Sequence, residues 1–515
     1  MHHGSFRQDL LSKKEEYRDD SMKKSTIGTI CIGVSLILLA SFPRAIEVAN
    51  RNFLFGFDQG KHWLAAKSII VDHKLPLIGD EVGGGGGFFQ GAGWYYMLAV
   101  PFFFFQGNPY GQLFLMFFIG ITTVICSYFI FSYRFGKVAG FCISFLIALS
   151  PSIAIQSRFA WPPFVIPLIT VFYIDALYCV YKGSFRSWFA LFFLLGCMVH
   201  FEIATAVTLG LATCIVLFIM KKISMRSFGL GFLGGIIPLL PLLLFDFRHQ
   251  FINMKGIWHM ITTVSSGSET ALLSKVFYDH VSIFSINLFG AFPLFPFRNV
   301  FILLCIGALA MILFDKQMKK EYKMFLASLC LIPCIVFTEL LFYRAMLWEW
   351  WLLELPILYI VFVGLVSSYF YKKHILGKAF IVIFYIFLLS IAIPYTLEIW
   401  KKDYFDYGGT QKIKGKMEAI EAIYKDAKGE PFGVLVFTPP IYTYPYDYLF
   451  WWVGTKKYNY VPHKEKRGVF YLLIEPDGGK SWTYKGWLET VIKDGKIISS
   501  WQLPSGFIIE KRMTQ

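Results

Sequence analysis

The sequence has few charged residues. Asp, Glu, Lys and Arg make up 16% of its 515 residues, whereas an ordinary soluble domain contains about 25%. Hydrophobic residues reach 56%, and the mean hydropathy is +0.55. This apolar content excludes a disordered chain, and a single water-soluble globule could not cover so much apolar surface. The composition therefore predicts a polytopic α-helical membrane protein.

Cysteine is missing from the less apolar parts of the chain. All nine cysteines lie in or beside apolar runs, and none lies in 45–111 or 396–515. We therefore expect small apolar helix residues rather than disulfide bonds. The sequence also lacks Cys or His pairs at metal-ligand spacing, and no Gly-Lys-Ser/Thr follows Gly83–Gly87, which excludes a P-loop. We expect no cofactor, with a divalent cation left open by the carboxylates Asp58, Asp80 and Glu81.

Acidic residues are outnumbered, and the net charge is +15. Such a charge can favour nucleic acid or an anionic membrane, but here the basic residues form short clusters between apolar runs. That arrangement is typical of cytoplasmic loops under the positive-inside rule, so we expect no nucleic-acid partner. The clusters are Lys23-Lys24, Arg134 with Lys137, Lys182 with Arg186, Lys221-Lys222, Lys319-Lys320 and Lys372-Lys373.

Apolar runs of about 20 residues predict membrane spans. For the first run a cleaved signal peptide is the alternative, and we favour an uncleaved span. The eleven predicted spans are 26–43, 112–132, 138–155, 164–180, 187–200, 203–220, 228–245, 299–314, 324–342, 351–370 and 378–395.

Residues 93–106 decide the topology. They are apolar but short, and a proline interrupts them. Treating them as an interfacial or re-entrant helix places every basic cluster inside, whereas counting them as a span places most clusters outside. The first choice gives a cytoplasmic tail at 1–25, a spanning region at 26–395 with a large outer loop at 45–111, and an extracytoplasmic C-terminus in the cell membrane.

The last part of the chain has a different pattern. Residues 411–427 are amphipathic, and 433–437 and 469–474 are short apolar runs typical of buried strands. Residues 482–494 are predicted to be helical, and 496–501 with 506–510 to form a hairpin. These patterns predict a small extracytoplasmic α/β domain at 396–515.

The first outer loop holds the most informative side chains. Asp58 lies soon after the first span, among aromatic residues, and begins an amphipathic run that contains Lys61 and His62. A carboxylate in an apolar wall has a raised pKa and can act as a general base. The alternative is that Asp58 only caps the N-terminus of this helix. Lys61, His62 and Glu81 are candidate sugar- or acceptor-binding residues.

Other charged residues lie at the outer ends of spans. Arginine can bind phosphate oxygens bidentately, but it can also extend to lipid headgroups or pair with a nearby Asp, as Arg248 could with Asp246. A lone His at a turn can be structural, and tryptophans at an interface can form either an aromatic belt or a sugar platform. The candidates for lipid-phosphate binding are Arg158, Arg248, His249 and Arg344, and those for sugar or acceptor binding are His200, Glu202, Glu349 and Trp350.

The order of these features resembles a known family. A first span is followed by a loop with an early Asp, a helix and a short aromatic segment, then by Ser157-Arg158 at a later span and by a terminal outer domain. This is similar to the C-type polytopic glycosyltransferases that use polyprenyl-phosphate sugars, among them the protein O-mannosyltransferases and the aminoarabinose transferases. The chain differs from them at Gln59, where mannosyltransferases have Glu, at Gln90–Gly93, where relatives have Lys-Pro-Pro or His-Pro-Pro, and at Trp161–Pro163, where Arg-Pro-Asp is frequent.

The resemblance implies a reaction in the cell envelope. A sugar on a polyprenyl-phosphate carrier in the bilayer would pass to the hydroxyl group of an unidentified lipid, glycan or protein acceptor. Asp58 would be the catalytic base, inversion would follow from attack opposite the phosphate, and Arg158, Arg248 and Arg344 would stabilise the leaving phosphate. The alternatives are a transporter or lipid flippase, which tends to place charges inside spans as at Asp175, and a lipid-linked glycan polymerase or ligase.

Overall fold

A computed structural model of the chain describes residues 28–82, 87–266, 273–293, 297–343, 347–373, 375–439 and 441–514. Three features of the sequence analysis lie outside these ranges. They are the predicted cytoplasmic tail at 1–25, most of the glycine run, and Arg344.

Helices dominate the chain up to residue 405. Helix α5 ends where Gly136 takes φ 94°, a backbone conformation that glycine adopts without a steric cost and that lets α6 begin at once. The helices are α1 Gly28–Arg44, α2 Ile46–Asn50, α3 Phe57–Ile70, α4 Gly93–Phe104, α5 Tyr110–Phe135, α6 Lys137–Leu149, α7 Pro151–Gln156, α8 Ile166–Tyr181, α9 Arg186–Met198, α10 Ile203–Ile219, α11 Met225–Arg248, α12 Ile252–Ser266, α13 Leu273–Gly290, α14 Arg298–Phe314, α15 Lys320–Leu340, α16 Leu355–Lys373 and α17 Ile375–Phe405.

Each of the eleven predicted spans corresponds to an apolar helix. In the described residues six helical segments are long and apolar enough to cross a membrane: Tyr110–Phe135, Pro162–Tyr181, Met225–Arg248, Lys320–Leu340, Glu349–Lys373 and Ile375–Phe405. The other five predicted spans fall on shorter apolar helices of 10–17 residues. The predicted span 138–155 is two helices, because Pro151 begins α7 and the Ser150 hydroxyl caps it by accepting from Ile153 N.

Two segments between the spans carry structure of their own. Residues 93–106, predicted as a short interfacial or re-entrant helix, form the 12-residue α4. The segment 246–298, which the topology predicts to lie on the outer side between two spans, contains α12 and α13. Neither is among the helices long and apolar enough to cross a membrane in the described residues.

The C-terminal residues form a four-stranded sheet with flanking helices. The helices are α18 Ile413–Ala427, α19 Tyr444–Val453 and α20 Trp482–Trp487. The strands, which follow β1 Ile78–Glu81 and β2 Phe89–Gly91 of the first outer loop, are β3 Gly433–Phe437, β4 Val469–Ile474, β5 Lys496–Gln502 and β6 Ile508–Met513. Strand order is β3-β4-β6-β5, with β3 parallel to β4 and the other pairs antiparallel. The two buried strands and the closing hairpin therefore lie where the sequence predicted them.

This C-terminal region packs directly on the first outer loop. The Tyr448 hydroxyl of α19 and the Trp63 indole of α3 both donate to Gly107 O, and both side chains are buried. The Tyr448 ring packs edge-on against those of Trp63 and Phe102. One apolar core therefore continues from the membrane helices through α3 and α4 into the C-terminal region.

Candidate functional site

Helix α3 places Asp58 in its first turn. Its N-cap is Gly56, whose backbone N–H donates to the Gln59 side chain at 3.0 Å. Gln59 also donates to Ala160 O at 3.0 Å, which fixes the start of the helix against the segment before α8. The alternative reading, in which Asp58 is the N-cap, is therefore wrong, and the carboxyl group is available for other contacts.

A short hairpin brings a second carboxylate to α3. Strands β1 Ile78–Glu81 and β2 Phe89–Gly91 pair antiparallel and carry Asp80. Asp80 accepts from Lys61 Nζ at 2.5 Å, His62 Nε2 at 2.5 Å and the Tyr95 hydroxyl at 2.9 Å. Burial alone would raise the pKa of Asp80, but His62 and Lys61 outweigh it and hold that pKa below its usual range. Asp80 is thus a fully bonded carboxylate that orients both side chains.

Asp58 is in the opposite electrostatic situation. It is half-buried, and among the described residues it takes part in no salt bridge. Burial raises the pKa of Asp58, and Asp80 adds to the rise, while His62, Lys61 and a hydrogen bond from Trp161 oppose it. A carboxyl group with a raised pKa and free lone pairs, held by a rigid helix, can accept a proton from a bound hydroxyl group.

Aromatic rings surround this carboxyl group. Trp161 packs edge-on against Trp350, with ring centroids 5.1 Å apart. On the other side Phe57 contacts Tyr442 and Tyr444 at 5.3 and 5.2 Å. These aromatic side chains near Asp58 come from α3, the segments before α8 and α16, and the start of α19.

A glycine permits this close approach of α19. A Cβ at Gly60 would lie 2.4 Å from the backbone nitrogen of Pro445, so a larger residue would displace the chain there. Because Gly60 is two residues from Asp58, the approach also brings Tyr444 to the candidate site.

Arg158 lies in a buried ion-pair network. Its guanidinium binds Glu47 bidentately at 2.7 and 2.5 Å and donates to Asp403 at 2.6 Å. The Arg158 and Glu47 side chains are each 9% exposed. This network joins α2, the end of α7 and α17. Its two carboxylates bind the guanidinium that was predicted to bind phosphate.

The other predicted phosphate ligands are not gathered at Asp58. Arg248 and His249 are exposed at the end of α11, where the His249 ring stacks on Phe245 and Nδ1 lies 2.8 Å from Phe245 O. The expected Asp246–Arg248 pair is replaced by bonds from Asn253 N and Met254 N to the Asp246 carboxylate. Arg344 lies outside the described residues.

His200 and Glu202 make local structural contacts. His200 Nδ1 accepts from Gly93 N at 3.1 Å, and Nε2 lies 2.8 Å from Pro238 O. With both nitrogens engaged and burial lowering its pKa, His200 is a neutral link between α4 and α11 rather than a ligand-binding group. Glu202 is the N-cap of α10 and accepts from Ala204 N at 3.2 Å. Burial raises the pKa of Glu202 to about 7.

The remaining candidates differ in their distance from Asp58. Lys61 and His62 lie close to Asp58, and both bind Asp80. Trp350 contacts Trp161, which lies beside Asp58. Glu81 is exposed and accepts from Gly87 N, and Glu349 is exposed at the start of a 3₁₀ turn. Among the described residues no group of three or more His, Cys, Asp or Glu side chains is placed to hold a metal ion.

Comparisons with known proteins give one consistent result at the level of structure. No protein-family model matches the sequence, and the comparison with curated proteins gives no match. The crystal structure of ArnT from Cupriavidus metallidurans bound to undecaprenyl phosphate matches with a TM-score of 0.59 and 10% identity, covering 94% of this chain and 98% of ArnT. The chain has the fold of ArnT.

Two further structures are similar to the chain. The apo form of the same ArnT has a TM-score of 0.57 and 11% identity, over 95% of this chain and 98% of ArnT. The Archaeoglobus fulgidus oligosaccharyltransferase has a TM-score of 0.46 and 12% identity, over 92% of this chain and 72% of its own. The resemblance to the C-type glycosyltransferases is thus confirmed at the level of the fold by ArnT.

Sequence reasoning missed several residues of this site. Tyr95 donates to Asp80 and Trp161 lies beside Asp58, and both residues lie in segments that were noted for other reasons. Tyr444 is almost 400 residues away from Asp58 in the chain, and no local pattern connects the two. The only available signal was the aromatic run Tyr442-Thr443-Tyr444, which is unusual at the surface of a small domain.

Proposed function

We propose that this protein transfers a sugar from a polyprenyl-phosphate carrier to an acceptor hydroxyl group at the extracytoplasmic face of the membrane, with Asp58 as the general base. The observation that carries the proposal is the half-buried Asp58, which has a raised pKa and lies beside the fully bonded Asp80. The fold is shared with an ArnT that binds undecaprenyl phosphate. That similarity supports a lipid-phosphate donor here.

The steps of the proposed transfer follow from the chemistry of the carrier phosphate, which is a good leaving group. The carrier's tail lies in the bilayer and its sugar at the surface, and Asp58 removes the proton of the acceptor hydroxyl. The hydroxyl oxygen attacks the anomeric carbon opposite the phosphate, the bond to the phosphate breaks, and the configuration inverts. Lys61 lies beside Asp58, and its ammonium group is a cation for the charge that develops on the leaving phosphate. The acceptor is a lipid, a glycan or a protein.

The proposal also sets the orientation of the chain. The N-terminus is cytoplasmic, 26–395 is the membrane domain with its large loop at 45–111 outside, and 396–515 is an extracytoplasmic domain. The basic clusters at the opposite ends of the helices support this orientation. Reporter fusions at either end, active on only one side of the membrane, would test it, and a cytoplasmic C-terminus would contradict it.

One experiment tests the reaction. The purified protein is incubated in lipid with labelled polyprenyl-phosphate sugars and a mixture of acceptors, and release of free carrier phosphate is measured. Asp58→Asn should reduce release by about 10² to 10⁴-fold, the usual contribution of a general base, while the protein stays folded. The matched control is Asp72→Asn in the same loop, whose exposed carboxylate pairs with the Lys67 ammonium. Release by Asp58→Asn at the wild-type rate would contradict the proposal.

A transporter or lipid flippase is the rival function. Asp175, the clearest carboxylate within a span, gives this function little support, because Arg134 binds its carboxylate bidentately at 2.5 and 2.9 Å. A flippase would move the labelled lipid between leaflets of a sealed vesicle without releasing carrier phosphate. The same assay therefore separates the two functions. A lipid-linked glycan polymerase or ligase would release carrier only when the acceptor is itself a lipid-linked glycan.

A further inference from the structure

In the described part of the chain an exposed apolar stripe runs from the end of α11 onto α12. Phe247 lies at the end of α11 and Phe251 directly precedes α12, while Met254 and Trp258 are four residues apart in α12 and share one of its faces. They are 69%, 42%, 59% and 69% exposed. The Phe247 and Phe251 rings also contact each other at 5.3 Å, which makes the stripe continuous across the turn.

The opposite face of α12 packs on the hairpin that carries Asp80. Asn253 is buried, and its side-chain oxygen accepts from Phe89 N of β2 at 2.8 Å. A Cβ at Gly256 would lie 2.6 Å from Gly87 O, so this glycine lets the helix touch the hairpin backbone. The stripe and the hairpin are thus on opposite sides of one helix.

The position of α12 relative to the membrane follows from α11. Helix α11 is long and apolar enough to span the bilayer and ends at Arg248. Only three residues separate it from α12, and the Asp246 carboxylate caps α12 by accepting from Asn253 N and Met254 N at 2.9 and 3.3 Å. A helix fixed to the end of a span lies at the membrane surface. Its exposed Trp, Phe and Met side chains, with Lys255 on a flanking face, match an interfacial helix.

We propose that α12 lies in the surface of the lipid leaflet next to the candidate site, with Phe251, Met254 and Trp258 in the acyl region. Through Asn253 and Gly256 it holds the β1–β2 hairpin at a fixed height above the bilayer. Asp80, and with it Lys61 and His62, is thereby positioned relative to the membrane. The lipid contact does not depend on the proposed function.

The lipid contact is tested with the full chain in phosphatidylcholine nanodiscs. Met254→Cys and, separately, Trp258→Cys are labelled with an environment-sensitive maleimide fluorophore, and the signal of the equally treated parent is subtracted. The matched aqueous control is Lys485→Cys, at an exposed position of α20. Lipids with a nitroxide high on the acyl chain should quench the α12 probes at least twofold more than the control probe, and iodide should quench them less.

Two results would overturn the proposal. An α12 probe that iodide quenches as strongly as the control would mean that the stripe faces water. A blue-shifted probe that neither lipid nitroxide nor iodide quenches would mean that protein covers the stripe. If one cysteine variant fails to fold, the other one decides, since both lie on the same face.

A separate experiment tests whether α12 fixes the β1–β2 hairpin. Asn253→Ala should increase amide hydrogen exchange of the peptide around Phe89 severalfold, because that amide loses its acceptor. Asn253→Asp keeps a carbonyl-type oxygen at the same place and should restore slow exchange. Equal exchange in all three proteins would show that α12 does not hold the hairpin.

Discussion

At the residue scale, two carboxyl groups in one small volume are set to opposite states by their neighbours. Asp80 accepts three hydrogen bonds, from Lys61, His62 and Tyr95, and its pKa is lowered. Burial raises the pKa of Asp58. A pair of carboxyl groups whose environments separate their pKa values in this way is typical of acid–base sites.

The charges around Asp58 predict opposite shifts of the pH profile. A base works only when deprotonated, so kcat/KM should rise with pH through the pKa of Asp58. Asp80→Asn removes a negative neighbour, which lowers the pKa of Asp58 and moves the acid limb to lower pH. Lys61→Gln removes a positive neighbour and moves that limb to higher pH. The pH dependence of carrier release measures both, and shifts in the same direction would refute this account.

Arg158 allows a distinction between a structural role and a phosphate-binding role. Arg158→Ala leaves Glu47 buried without its partner, which costs about 3 to 5 kcal/mol for a buried pair. The variant should unfold at lower temperature in detergent, and adding Glu47→Gln should recover part of the loss because it removes the unpaired charge. A variant that keeps wild-type thermal stability but has a raised KM for the carrier would instead support phosphate binding.

At the element scale, α3 is the helix on which the site depends. It carries Asp58, Lys61 and His62 on successive turns, is fixed at its start by Gln59, and contacts α19 through Gly60. Its position after the first span could be read from the sequence, but the expected amphipathic pattern was wrong, because apolar and polar residues are spread around the helix. Its partners could not be read from the sequence, because the hairpin and α19 are brought to it only by the fold.

Gly60 gives a prediction about this packing. Gly60→Ala would place a methyl group 2.4 Å from the Pro445 backbone, and because neither side is a flexible side chain, α19 must shift at a cost of about 1 to 3 kcal/mol. We expect a lower thermal midpoint and reduced carrier release. The control is Gly210→Ala within α10, where nothing lies within 4 Å of the added methyl group. Equal midpoints for the two variants would show that the approach at Gly60 is not tight.

At the scale of the whole molecule, the C-terminal region is part of the site rather than an appended module. It supplies Tyr442 and Tyr444 beside Phe57, and its Tyr448 closes over Trp63 and Phe102. The apolar core runs through this contact without a gap. The strands and helices of the expected small α/β region are therefore present, but this region shares its apolar core with the first outer loop.

This sharing predicts the effect of truncation. A chain that ends at residue 410 exposes the buried Trp63 and Phe102 rings, so we expect it to aggregate on size-exclusion chromatography in detergent. Tyr448→Phe in the full chain removes only the hydrogen bond to Gly107 O and should elute normally with a small loss of thermal stability. A monodisperse truncated chain with an ordered α3 would show that the two parts fold separately.

The sequence by itself indicated the apolar helices, the strands β3 and β4, the closing hairpin and Asp58 as a candidate residue. Each of these depends on hydrophobicity or residue type within a short window, and hydrophobic burial acts on such windows directly. Only the tertiary structure decided that Asp80 binds Lys61 and His62, that Glu47 and Asp403 bind Arg158, and that His200 joins two helices. Those contacts connect residues from 18 to 245 positions apart. Ion pairs and hydrogen bonds form only where folding brings groups within about 3 Å, and a local pattern contains no information about such distances.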